Sequence, residues 1–214
     1  MLHEVFVARR ASSPYARSMS GPDDPPFELI ETRPCGTCNV CCVSLTIDDD
    51  ELQKPQGYRC RNANRDNSCA IYHSRPNTCR KFYCGWRSLR WVRETLRPDL
   101  SGVLVRLHIG YDADGTRQDG VVISLLTSKA LAAEGLAETV AAAVAAEIPV
   151  YLHVPGPPGY TSAQARVNDA LRGAVMAKDK TAVLGILREG RALGRKGAKK
   201  RIVLKPRPGP APSV

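Results

Sequence analysis

All eight cysteines of this chain fall within fifty consecutive residues, as Cys35-Gly-Thr-Cys38-Asn-Val-Cys41-Cys42 followed by Cys60, Cys69, Cys79 and Cys84. The other 164 residues contain none. Thiolates are soft ligands that bind zinc, copper(I) and iron–sulfur clusters tightly, and two-residue spacers let neighbouring cysteines reach one centre from a single turn. A segment of this kind folds around metal or around disulfides, or carries catalytic or redox-exchanging thiols. Disulfide frameworks belong to exported chains, whereas the stretch from Met1 to Gly21 has no apolar run of signal-peptide length and carries Arg9, Arg10 and Arg17. The expectation is therefore an intracellular, cytoplasmic protein in which all eight thiols are metal ligands, with zinc or an iron–sulfur cluster as cofactor.

The same segment is poor in the residues that build a core. Between Cys35 and Cys84 the large aliphatic and Phe residues are only Val40, Val43, Leu45, Ile47, Leu52, Ile71 and Phe82. Burying these few side chains falls well short of the entropy lost in ordering fifty residues, so a bound metal is expected to hold the segment together. Cys38, Cys41 and Cys42 stand at i, i+3 and i+4, which in a helix places their thiols on one side, with Cys35 joining from the preceding turn. Two partitions are open: two tetrahedral four-thiolate sites, or one cluster held by four cysteines with the others in a second site or free. Arg59, Arg61, Arg65, Arg75, Arg80 and Lys81 surround the later cysteines. They are either charge partners of an anionic metal–thiolate centre or a solvated loop surface. His73, between Cys69 and Cys79, is a substitute ligand in reserve.

The chain divides into four parts and its fold class reads as α+β. Residues 1–30 form a polar arm, expected to be disordered, that contains Gly21-Pro22-Asp23-Asp24-Pro25-Pro26. Residues 31–98 form the Cys-rich metal-binding domain with a following helix over Trp86–Arg97. Residues 99–194 form a small three-stranded sheet with helices, and residues 195–214 a basic, Pro-rich tail expected to be disordered.

In the third part Val103, Val105, Leu107 and Ile109 alternate with Leu104, Arg106 and His108, the period-two pattern of a half-buried strand. The continuous apolar run over 121–126 predicts a central strand. The Asp-Gly pairs between them suit a long hairpin connection. A calcium-loop reading of Asp112, Asp114 and Gly115 fails because Ile123 stands where a bidentate Glu is required. An Ala-rich helix is expected over 129–147, then a third strand over 148–154 that Pro149 places at an edge. Helices capped by Thr161 or Ser162 and by Asp179 are expected to reach about Ala177 and Leu193. His108 and His153 fall on the non-core faces of two strands and approach each other if those strands pair. No phosphate-binding Gly loop or nucleophile elbow is present, and no apolar run approaches the length of a membrane span.

The net charge of +10 points to nucleic acid only until its distribution is read. Seven basic residues and no acidic ones lie in 195–214, which leaves +4 for residues 31–194. Two zinc ions held by eight thiolates would cancel that remainder. Arg87, Arg90, Arg93 and Arg97 make a basic stripe if 86–97 is helical, and Trp86 and Trp91 are then candidates for base stacking. The plainer reading is a solvated helix face with the Trp rings packed beneath it.

The first motif, together with Cys69-Ala-Ile71-Tyr72-His73-Ser74-Arg75-Pro76-Asn77-Thr78-Cys79-Arg80-Lys81-Phe82-Tyr83-Cys84, resembles the YkgJ-type cysteine-cluster family, the CxxCxxCC zinc- or iron-chelating domain. The resemblance covers residues 35–86. It implies that the eight cysteines form a metal-binding site and leaves the metal open. Members of that family are often described as iron–sulfur oxidoreductases, and flagellin lysine methylases carry a similar cysteine domain, but this chain shows no methyl-donor motif. The readings carried forward are a metal-binding protein with a protein partner, an iron–sulfur redox or radical enzyme, and a nucleic-acid-binding module.

Overall fold

The computed structural model describes residues 28–109, 114–115 and 119–204. The readings of the arm before residue 28, of Asp112 and of the tail beyond residue 204 lie outside these.

The cysteine segment contains little regular structure. Helix α1 (Val40–Ser44) leads into a hairpin of two-residue strands, β1 (Ile47–Asp48) and β2 (Gln53–Lys54). After a long irregular stretch come a 3-10 turn at Tyr72–Ser74 and helices α2 (Asn77–Lys81) and α3 (Gly85–Ser88). Of the seven large aliphatic and Phe residues here only Leu52 is buried.

The expected helix over Trp86–Arg97 does not form. The chain leaves α3 at Leu89, where the backbone turns extended, and regains only a 3-10 turn at Glu94–Leu96 before helix α4 (Pro98–Ser101). Trp86, Leu89, Val92 and Leu96 nevertheless point into the core. Arg33 holds the irregular path, with its buried Nη1 donating to the carbonyls of Trp86 (2.9 Å) and Val92 (3.0 Å). The Trp86 indole N–H donates to the Glu94 carbonyl at 2.8 Å. The loop carbonyls that a helix would have satisfied internally are thus paired by side chains.

Strands β3 (Val103–His108), β4 (Gly120–Leu125), β5 (Val150–Val154) and β6 (Ala163–Arg166) form one sheet in that order. The mixed α+β class holds, with four strands where three are expected from sequence. β3 and β4 pair antiparallel from Val103 opposite Leu125 to His108 opposite Gly120. β4 and β5 run parallel through a helical crossover, and β5 pairs antiparallel with β6. β4 is buried at every position, Ser124 included, in keeping with a run that is otherwise apolar. Pro149 does not mark an edge: β5 lies between two strands, and Pro149 precedes it, accepting the Val121 N–H at 2.8 Å where its own missing N–H is not needed.

The crossover contains a 3-10 turn at Ser128–Ala132 and helix α5 (Leu136–Ala145), not one helix over 129–147. Gly135 breaks it, with φ 82° and an absent Cβ whose place lies 2.7 Å from the Arg93 side chain. Helices α6 (Asn168–Met176) and α7 (Lys180–Lys196) follow, and Asp179 caps α7 by accepting from the Ala182 N–H at 2.9 Å. The expected helix start at Thr161 or Ser162 is instead strand β6. The first residues of the supposed loose tail also pack. The Thr161 N–H donates to the Lys200 carbonyl (2.8 Å) and the Ile202 N–H to the Gly159 carbonyl (2.7 Å). No helix among the described residues is long and apolar enough to cross a membrane.

One sheet face, with Val105, Ile123 and Leu152, packs on α5, α6, α7 and the Trp86–Leu96 stretch. The opposite face carries Leu104, Val122, Ser124 and His153, all buried, and Leu104 lines the cysteine cavity. The cysteine segment is tied to the β5–β6 loop by Gln56, whose side-chain amide donates to the Tyr160 carbonyl and accepts from the Ser162 hydroxyl at 2.6 Å. His108 and His153 do not meet, since β4 separates their strands. His108 packs on Tyr151 with ring centroids 4.3 Å apart, and His153 is buried rather than half-exposed.

Burial, with a smaller push from the Arg106 charge, lowers the His153 pKa to about 4. The folded state therefore binds fewer protons than the unfolded chain between about pH 4 and 6.5. Stability from this group is complete above pH 6.5 and falls as pH drops toward 4, by on the order of 3 kcal/mol. Urea denaturation of wild type and His153→Gln at pH 7 and pH 5 should show that acid-side loss in wild type and a smaller one in the variant. Equal losses in both would remove His153 as its source.

Candidate metal centre

All eight cysteine side chains line one cavity of about 200 Å³, beneath which lie Leu45, Leu52, Phe82 and Leu104. None is in a disulfide. The cavity occupies the place where a larger apolar core would sit, and the chain reaches it by turns fixed through backbone hydrogen bonds. The Cys38 N–H donates to Cys35 O (2.9 Å), Cys60 N–H to Cys42 O (3.0 Å) and Cys79 N–H to Pro76 O (2.9 Å). Ala63 makes an isolated ladder pair with Cys69.

The i, i+3, i+4 reading of Cys38, Cys41 and Cys42 holds only in part. Helix α1 begins at Val40, so Cys38 lies outside it, in the turn behind Asn39, and only Cys41 and Cys42 are helical. Their thiols hydrogen-bond to each other. This raises Cys41 well above the ordinary thiol range and lowers Cys42 to about 6, with burial opposing the effect at Cys42 and the charges of Lys54, Arg75 and Arg59 assisting it. Burial pushes Cys38 and Cys79 up to about 11 and raises Cys84 as well. Buried neutral thiols are costly to ionise one by one, and a divalent metal removes that cost by neutralising several thiolates together.

Several cationic groups stand at the site. Lys54, absent from the charges singled out by sequence, is buried in the hairpin. Its ammonium donates to the carbonyls of Val43 (3.1 Å), Leu45 (2.5 Å) and Pro55 (3.3 Å), closing the unpaired end of α1. Nothing in its sequence neighbourhood distinguishes it from a surface lysine. On the other side the Arg87 guanidinium stands 3.7 Å from the Cys35 sulfur, and Arg97 reaches the Cys35 carbonyl at 3.4 Å while pairing with Asp99 at 2.9 Å. Arg75 lines the cavity and lies over the Tyr72 ring at 4.1 Å. Arg61 turns to the Glu51 carbonyl at 3.0 Å, and Arg59 to Asn64 and Asn67. His73 is exposed, packs edge-on against Tyr72, and is not among the cavity-lining residues.

Among the described residues no three Cys, His, Asp or Glu side chains converge at the separations of a metal ion's ligands. The fit to a metal thus rests on the chemistry of the donor set: eight free thiols around a single small cavity, with cations beside them.

The basic stripe is not assembled. Arg87 and Arg97 turn toward Cys35, Arg90 pairs at the surface with Glu28 at 3.4 Å, and Trp86 is buried. No family model, curated protein or solved structure matches this chain.

Proposed function

We propose that this chain is a metal-binding protein whose eight cysteines, Cys35, Cys38, Cys41, Cys42, Cys60, Cys69, Cys79 and Cys84, hold zinc or an iron–sulfur centre. The observation that carries the reading is the lining of one cavity by all eight thiols in a segment with a single buried large aliphatic side chain. The motif resemblance to the YkgJ-type cysteine-cluster family leads to the same reading. In such a site the bound metal supplies cross-linking of turns that burial alone does not hold. The chain's own groups supply the ligands, and Lys54, Arg75 and Arg87 offset their negative charge.

Purification without oxygen, followed by counting zinc, iron and acid-labile sulfide per chain, tests it. Metal bound in stoichiometric amount and lost on thiol alkylation is the expected result. Iron with equal sulfide and a dithionite-bleached band near 400 nm would identify the redox form, whereas zinc without colour would identify a structural or metal-handling module. A metal-free, folded protein would refute the proposal.

A further inference from the structure

We infer that Arg106, Ser124 and His153, neighbours on the sheet face turned away from α5, α6 and α7, form a binding site for a small oxyanion, the phosphate or carboxylate group of a ligand. The site uses no cysteine and stands independently of the metal-binding reading.

Alternation along the strands sends these three side chains the same way. Val105, Ile123 and Leu152 enter the core under the helices, so the residues that follow them, Arg106, Ser124 and His153, emerge on the opposite face. Ser124 and His153 are opposed in the parallel ladder between β4 and β5. Arg106 on β3 lies opposite Val122, one diagonal step from Ser124. Long side chains reach one another over such a step, and the Arg106 charge acts on His153. On the far side of His153 the row meets solvent, because its partner there is the exposed Gln164 of edge strand β6.

Each of the three carries a buried polar atom without a partner. Ser124 is 1% exposed and His153 8%, and Ser124 Oγ, His153 Nδ1 and Arg106 Nε make no hydrogen bond. Buried polar atoms are nearly always paired, so three orphans on one stretch of one sheet face call for a common partner. Arg106 specifies its charge. The guanidinium is permanently cationic, burial weighs against that charge, and no Asp or Glu among the described residues pairs with it. Ser124 adds an O–H donor. His153 is held neutral near pH 7 by its burial and offers Nδ1–H as a third. Donors gathered beside a cation, with no carboxylate among them, match an oxyanion rather than a metal ion or an apolar group.

Titration of the full-length protein with inorganic phosphate, and separately with acetate, at constant ionic strength in chloride tests the site. At least one anion should raise the melting temperature saturably and move the Arg106 Nε–H proton resonance downfield as that group gains an acceptor. Saturation by phosphate alone assigns a phosphorylated ligand, by acetate alone a carboxylate ligand, and by both the shared oxyanion. Arg106→Met should weaken the binding by about 10-fold or more, and Ser124→Ala by a smaller factor. The Arg106 variant removes an uncompensated buried charge. In chloride alone it should therefore melt no lower than wild type, which separates loss of binding from loss of fold. Arg172→Gln, at an exposed pair with Asp169, should bind as wild type does. Absence of saturable binding by either anion, as for three atoms satisfied by water, would overturn the inference. So would wild-type binding by Arg106→Met, an equal loss in Arg172→Gln, or a lower melting temperature of Arg106→Met in chloride, which would show the guanidinium already compensated.

Discussion

Cys38→Ser and Cys79→Ser are each expected to lose metal and to melt much of residues 35–84 while the sheet around Val121 stays folded. A structural zinc contributes roughly 10–16 kcal/mol of apparent folding free energy, which matches or exceeds the whole stability of an ordinary domain, about 5–15 kcal/mol. The segment has little to put in its place. Leu52 is its one buried large aliphatic residue, its helices are five residues or shorter up to Cys84, and its hairpin strands are two residues long. The sheet has its own core, in which Val121, Ile123, Leu136, Leu171 and Leu187 are fully buried and against which Cys84 alone of the eight cysteines packs. Hydrogen exchange separates the two. Amides of residues 38–84 should lose protection in either variant, and in wild type treated with a strong chelator, while those of Val121–Leu125 keep it. Unchanged protection of the cysteine segment in both variants would show that metal does not build it.

What was legible in advance follows from which residues carry a periodic signal. β3 and β4 are readable because Val103, Val105 and Leu107 alternate with Leu104, Arg106 and His108 and because the β4 run is apolar but for Ser124. β6 is not. Ala163-Gln164-Ala165-Arg166 lies at an exposed sheet edge, needs no apolar side chains there, and consists of good helix formers. Leu89, Val92 and Leu96 reach the core, but not through helical spacing. A loop pinned by Arg33 delivers them to the core, and a tertiary hydrogen bond across more than fifty residues leaves no trace in local sequence. The candidate site divides in the same way. Cysteine is rare enough for its clustering to stand out, so all eight cavity-lining thiols were legible, whereas Lys54 looks like any surface lysine until the hairpin buries it. Gly135 is a local sign of the break inside the Ala-rich stretch.

Trp86→Ala should be among the most damaging single changes outside the cysteines, costing about 3–5 kcal/mol as large aromatic truncations in cores do. The ring is buried in the core shared with Leu89, Val105 and Leu136. Its N–H has a carbonyl partner in Glu94, and the Arg33 guanidinium lies 5.7 Å from the ring centre. Removing the ring opens a cavity and also strips the packing that positions Arg33, which binds the backbone at Trp86 and Val92 just ahead of Cys35. Trp86→Phe retains most of the apolar surface and gives up the hydrogen bond, so a smaller loss of about 1–2 kcal/mol is expected. Trp91→Ala, at a half-buried ring on the rim of the same core, should fall below Trp86→Ala. Urea denaturation of the metal-loaded protein, followed by far-ultraviolet circular dichroism, orders the three. A Trp86→Ala cost under about 1 kcal/mol would contradict a core role and return Trp86 to the surface reading, in which an exposed indole is free to stack on a ligand. The expected order places the ring beneath the cysteine segment as its footing on the sheet, coupling the fold of residues 99–194 to the position of Cys35 through Arg33.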